Sequence, residues 1–209
     1  MTPRSYRWLF WTMAFLGLAL DQGGKYGIFS ALYHEGRGGQ IVLVDGLFTL
    51  DASYQIVEGK AVPHVNDGAL WGWKPGLDGS IANNVFAVVS LIAAAAIVFW
   101  SALPSSPRDR WLNFALGLIF AGAVGNLYDR VVFRGVRDFL HFYPQGVGLD
   151  FNFPVFNIAD CCLVCGAGVL MLHALLVQPH HEKAPAPEAA EAIAPALTPA
   201  PEAEAAVSK

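Results

Sequence analysis

Charged side chains are scarce in this sequence. Asp, Glu, Lys and Arg make up 14% of its 209 residues, against about 25% in an ordinary soluble domain. Hydrophobic residues reach 55% and mean hydropathy is +0.43. That balance excludes a conventional soluble globule and indicates one membrane domain. An excess of base is lacking too: the formal net charge is −4, so nucleic acid is not an expected partner. Cysteine is limited to Cys161, Cys162 and Cys165, all in one apolar segment. Three clustered thiols give no disulfide framework. Cys161 and Cys165 stand i, i+4 on a helix with no His or fourth ligand near, so they read as packing residues rather than a zinc site. No metal or cofactor is expected.

Long apolar runs are what the sequence does have. Residues 8–20 are apolar between Arg7 and Asp21. No small-x-small cleavage site follows; Asp21 and Lys25 come next, and the apolar pattern resumes at Tyr26, so a first, uncleaved span is expected over 7–31. Residues 85–103 carry no charge and are long enough to cross a bilayer. A third span is expected at 111–128 and a fourth at 156–177, with Asn157 and Asp160 in its first turn. Arg4, Arg7, Arg108 and Arg110 bias both termini and the 104–110 link to the cytoplasm, while the 32–84 loop has only Arg37, Lys60 and Lys74. Arg130, Arg134 and Arg137 in the other outer loop run against that bias. Within the long outer loop, Ile41–Val44 and Leu47–Leu50 flank Asp45-Gly46 and predict two short strands about a tight turn. Residues 141–154 read as an irregular flap. From Pro179 onward the chain is rich in Ala, Pro and Glu and predicts a disordered tail over 179–209. Its pair His180-His181 is too little for a metal site. The predicted fold is therefore an all-α membrane protein, a four-helix bundle with a small extracytoplasmic β-sheet, over residues 1–178.

Ionisable groups in a bilayer are costly and point to function. Asp21 and Lys25 stand i, i+4, in the favourable order for a structural ion pair. Asp129 or Asp138 with Arg130 or Arg137 is open to the same reading. Asp160 is different: apolar residues and cysteine follow it for a full turn, and no basic residue lies within reach on its helix. Asp138 is the candidate partner from another element. Two carboxyls that share a site do not both ionise easily. Such a pair can deprotonate a water and protonate a leaving amine, which is peptide hydrolysis without metal or covalent intermediate.

Five stretches then carry a resemblance. They are Asp21-Gln22-Gly23-Gly24-Lys25, Asn66-Asp67-Gly68-Ala69-Leu70-Trp71-Gly72, Gly122-Ala123-Val124-Gly125-Asn126-Leu127-Tyr128-Asp129-Arg130, Val136-Arg137-Asp138-Phe139 and Phe156-Asn157-Ile158-Ala159-Asp160. In their order, and in their placement against the expected spans, the chain resembles lipoprotein signal peptidase, or signal peptidase II, over residues 1 to about 178. The resemblance implies an aspartic endopeptidase of the bacterial inner membrane that cleaves before the lipidated cysteine of diacylglyceryl-modified prolipoproteins. It implies that Asp138 and Asp160 are catalytic, that Asn66, Asn126, Arg130 and Asn157 support the site, and that Asp21 and Lys25 are structural or close to substrate. It implies a monomer among membrane lipids, with both termini cytoplasmic, the site near the outer face and a small outer sheet above it. The chain departs from the family at Asp67, Leu70 and Trp71, in its long outer loops and in the tail. Two other readings compete: a silent relative that binds lipidated peptides, favoured only by the altered second motif, and a small transporter using Asp21, Lys25 and Asp160. The transporter would need charges near mid-bilayer, whereas these cluster on one side.

Overall fold

The computed structural model describes residues 5–68, 79–103, 109–144, 148, 151 and 153–176. Residues 69–72 of the second motif and the tail at 179–209 lie outside that set. Among the described residues four long helices form: α1 (Arg7–Ala31), α2 (Gly79–Ala102), α3 (Arg110–Phe133) and α4 (Ile158–Leu176). Among the described residues, α2, α3 and α4 are long and apolar enough to cross a membrane; α1, which carries Arg7, Asp21 and Lys25, is not among them. α1 has the expected bounds. α2 begins six residues before the expected start at 85, and α3 runs past 128 to Phe133, where Arg134 turns the chain in the left-handed region at φ 62°. Asp109 starts α3 by accepting the Trp111 and Leu112 backbone N–H groups at 2.8 and 3.1 Å, the ordinary chemistry of an N-cap.

α3 is the central helix, packed against α1, α2 and α4. It can be central because its buried residues are small, among them Ala115, Gly117, Ala121, Gly122, Ala123 and Gly125. Backbones approach closely where side chains are absent. A Cβ at Gly122 would collide with the Ala159 carbonyl of α4, and one at Gly125 would stand 2.5 Å from Asp21 Oδ2 of α1. The outward faces are apolar: Phe99, Val164, Leu175 and Leu176 are each more than two-thirds exposed, as surfaces that meet acyl chains should be. Of the cysteines, Cys162 is buried against the α1 backbone at Gly17, Cys161 is half-buried and Cys165 is exposed. Packing thus accounts for Cys162 and not for Cys165.

Five strands among the described residues cap one end. β1 (Gly39–Val44), β2 (Phe48–Ala52) and β5 (Leu140–Phe142) form an antiparallel sheet in the order β1-β2-β5. The expected strands at 41–44 and 47–50 are β1 and β2, with Gly46 in the turn at φ 66°. β3 (Tyr54–Val57) and β4 (Lys60–Pro63) form a second hairpin that the sequence reading lacked. Its turn is Glu58-Gly59, with φ 51° and 76°, the two successive positive values of a tight two-residue hairpin. Residues 141 and 142, expected at the start of an irregular flap, belong to β5 because β2 offers its second edge to them. Beneath the sheet Phe29, Leu32, Ala52 and Phe139 form a buried cluster that also touches Ile158. It ties the ends of α1 and α4 to the residue that follows Asp138.

The tight α3–α4 contact gives a direct test. Gly122→Ala should lower the thermal unfolding midpoint in detergent, with a loss of about 1–3 kcal/mol for overpacking. Gly168→Ala, where nothing lies within 4 Å of the added Cβ, should leave the midpoint unchanged or slightly raised. Equal midpoints for the Gly122 variant and the parent would contradict the packing described.

Candidate active site

Asp138 lies on the short segment between α3 and β5, and its backbone is held from several sides. Val136 and Asn66 exchange backbone hydrogen bonds of 2.8 and 2.9 Å. Phe139 and Leu140 N–H donate to the Phe156 carbonyl at 3.0 and 2.8 Å, and Asp51 N–H donates to the Phe139 carbonyl at 2.9 Å. The carboxylate between these anchors accepts from Asn66 Nδ2 at 3.1 Å on Oδ2 and from Asn157 Nδ2 at 2.6 Å on Oδ1. Burial and the neighbouring Asp160 carboxylate push the Asp138 carboxyl up to about 7, against the opposing pull of its hydrogen bonds from Asn157 and Asn66.

Asp160 is the third residue of α4, and Asn157 is the residue before that helix rather than part of its first turn. Asp160 N–H donates to Asn157 Oδ1 at 3.1 Å, and Asn157 N–H donates to Asp160 Oδ2 at 3.1 Å. This reciprocal pair is a capping box, with Asn and Asp in the roles usually taken by Ser or Thr and Glu. The Asp160 carboxylate is thus held by the Asn157 backbone N–H, while the Asn157 side-chain NH₂ is directed at Asp138. Asp160 Oδ1 accepts from Asn126 Nδ2 at 2.8 Å. One residue, Asn157, therefore bonds both aspartates: its amide NH₂ to Asp138 and its backbone N–H to Asp160.

Both carboxyls open into one cavity of about 410 Å³, with Asn66, Asn126 and Arg130 also in its wall. Phe86 and Ser90 of α2 and Leu163 and Val164 of α4 line it as well. Arg130 is set by a bond from Nη1 to the Asn126 carbonyl at 3.3 Å and by the Phe86 ring, 5.4 Å from its guanidinium carbon. Among the described residues no three His, Cys, Asp or Glu side chains group as metal ligands.

Asp21 and Lys25 do not line the cavity; they are fully buried behind it. Lys25 Nζ lies 2.9 Å from Asp21 Oδ2 and 3.5 Å from Asp129 Oδ2. Asp21 Oδ1 also accepts the Ala159 backbone N–H at 2.9 Å, so a residue of α1 caps the first turn of α4. Asp129 holds Arg137 by its backbone N–H at 2.9 Å, by Nε at 3.1 Å and by Nη2 at 2.9 Å. The Arg137 guanidinium lies over Tyr26 and Phe133, 4.2 and 4.0 Å from the ring centroids. Gln22 joins the pairs, donating to Asp21 Oδ2 at 2.9 Å and accepting from Arg137 Nη2 at 3.1 Å. Gln22, Asp129 and Arg137 are absent from the residues chosen as the site by sequence. Of the four pairings that the sequence leaves open, the fold forms Asp129 with Arg137.

Asp129→Asn should therefore destabilise the protein strongly. It leaves Arg137 enclosed with a weakened partner, and breaking a buried pair costs about 3–5 kcal/mol. A thermal unfolding midpoint in detergent equal to that of the parent would contradict the role given to this pair.

Comparisons with known proteins follow the same lines. The family model described as signal peptidase (SPase) II matches residues 13–176. A lipoprotein signal peptidase of Rhodopirellula baltica is 34% identical over 187 residues, 83% of this chain and 75% of that protein. One from Pseudomonas syringae pv. tomato is 36% identical over 168 residues, 79% of this chain and 83% of its own length. Two solved structures described as a bacterial membrane enzyme, determined by the in meso method, share the fold. The one at 2.3 Å resolution has a TM-score of 0.67 at 24% identity, covering 88% of this chain and 97% of that chain. The one at 1.9 Å has a TM-score of 0.64 at 26% identity, covering 85% and 99%.

Proposed function

Because this chain belongs to the signal peptidase II family, we propose that it is a membrane aspartic endopeptidase that removes signal peptides from diacylglyceryl-modified prolipoproteins. The observation that carries this reading is the pair Asp138 and Asp160, on separate elements, in the wall of one cavity and joined through Asn157. The cavity stands between α2, α3 and α4, whose outer faces suit lipid, and reaches Val164, which is mostly exposed. A substrate anchored by acyl chains would reach it by lateral diffusion, at a raised effective concentration. Acyl burial of about 0.8 kcal/mol per CH₂ would supply binding energy remote from the scissile bond for positioning it.

In this reading α1 is the fourth span. Its charges at Asp21 and Lys25 are enclosed by neighbouring helices rather than presented to lipid. Residues 1–178 form the enzyme, with 179–209 a tail outside it. The termini are cytoplasmic, and the sheets and the dyad stand at the outer face of the bacterial inner membrane. The enzyme acts as a monomer.

The chemistry follows from two carboxyls that face one cavity. Asp160, as base, takes a proton from a water between the pair. That water attacks the carbonyl carbon of the bond before the lipidated cysteine. Asp138, as acid, donates to the carbonyl oxygen as charge develops there. As the gem-diol intermediate collapses, Asp160 passes the proton it took from water to the nitrogen, Asp138 takes back the proton from the diol oxygen, and the C–N bond breaks, which returns both carboxyls to their starting states. The products are a new carboxyl on the signal peptide and a free amine on the lipidated cysteine, with one water consumed.

The test is cleavage of one precursor with and without its diacylglyceryl group, in the same detergent. The lipidated form should be the far better substrate, and equal rates would remove the lipoprotein reading. The pH dependence has a definite sign. The acid form of Asp138 is lost as pH rises through about 7, so kcat/KM, which reports the free enzyme, should fall on the alkaline side of that value. A flat profile through weakly alkaline pH would contradict the assignment of Asp138 as the acid.

A further inference from the structure

We propose that Lys25 is a positioning residue for the dyad: its ammonium fixes which end of the Asn126 amide meets Asp160. The inference rests on the reading of Asp138 and Asp160 as the reacting carboxyls.

Lys25 Nζ donates to Asn126 Oδ1 at 3.2 Å, and Asn126 Nδ2 donates to Asp160 Oδ1 at 2.8 Å. An ammonium has donors only. The amide oxygen must therefore face Lys25, and the NH₂ must face Asp160. A flipped amide would set NH₂ against ammonium and oxygen against carboxylate, two repulsive contacts in place of two attractive ones.

The other two amides of the site are locked by the backbone close by. Asn157 Oδ1 accepts the Asp160 N–H at 3.1 Å, and Asn66 Oδ1 accepts the Gly68 N–H at 3.0 Å. In each case the oxygen is pinned and the NH₂ is directed at Asp138. Asn126 lies inside α3, where neighbouring N–H groups are already used within the helix. Its lock has to come from another element, and Lys25 of α1 supplies it. Lys25 is itself aimed, fully buried between Asp21 and Asp129. A counter-ion for those two carboxylates would need no third contact on the Asn126 side-chain amide, which donates to Asp160.

The experiment is a double-mutant cycle on kcat for the lipidated precursor, with single-turnover measurements for slow variants. Lys25→Met should lower kcat on the order of 10²-fold, the scale of a small misplacement at a reacting group, with KM little changed. In the Asn126→Ala background the same substitution should cause no further loss, since the amide that it orients is gone. If Lys25→Met does not accumulate, Lys25→Met/Asp21→Asn keeps the buried cluster neutral, retains an acceptor for Ala159 and should show the same non-additivity. Equal fold-losses in both backgrounds, full kcat in the folded Lys25 variant, or full kcat in Asn126→Ala would overturn the inference. Those results in a series whose parent cleaves the precursor would leave the peptidase reading standing. A parent that does not cleave it would overturn both.

Discussion

Two carboxylates and two cations are enclosed where α1 and α3 meet, and everything else at the site is arranged around them. Asp21, Lys25, Asp129 and Arg137 are all essentially inaccessible. An isolated charge in such surroundings costs far more than one contact returns, so the set has to balance. It does: two negative charges meet two positive ones, and the Gln22 amide joins the pairs. The Arg137 guanidinium adds two aromatic faces, a favourable surface for a desolvated cation. Gly125 is part of the same requirement, because a side chain there would meet the Asp21 carboxylate.

From that cluster the order extends outward. Asp21 caps α4 and so fixes the helix that begins with Asn157 and Asp160. Asp129 holds Arg137, the residue before Asp138, and thereby sets where the second carboxyl stands. The sheet completes the placement, since the chain around Asp138 bonds to Asn66, Asp51 and Phe156 by its backbone. The proposed reaction needs both carboxyls to face one cavity. Here Lys25 and Arg137 lie one layer behind, the side-chain amides of Asn66, Asn126 and Asn157 touch the carboxyls, and Arg130 stands in the same cavity wall. Preorganised dipoles of this kind stabilise charge as it develops without reorganising at that moment.

Much of this was legible in the sequence. Apolar run length gave the helices, most closely α1, whose bounds are those read from Arg7 and Ala31. The Asp45-Gly46 turn gave β1 and β2. Asp160 stood out because nothing on its own helix answers its charge. What was not legible depended on contacts between distant parts. The β3–β4 hairpin is short and has no fully buried strand residue, so it leaves little periodic signal. β5 is a strand only because β2 lies beside it. Asn157 was placed in the first turn of a helix that it caps, because apolar pattern does not resolve a boundary of two residues. Asp21 and Lys25 were read as an ordinary i, i+4 pair, which they are; the capping of α4 and the contact with Asn126 appear only when α1, α3 and α4 come together.

The account stands most directly on the two carboxyls. The decisive measurement is turnover of a diacylglyceryl-modified precursor by Asp138→Asn and Asp160→Asn, each purified in detergent and matched to the parent for folded protein. Each substitution removes one ionisable oxygen pair at nearly constant volume. Both variants should fold and neither should cleave, since in the proposed reaction the water needs Asp160 as base and the carbonyl oxygen needs Asp138 as acid. Near-parental turnover in either variant would contradict the account.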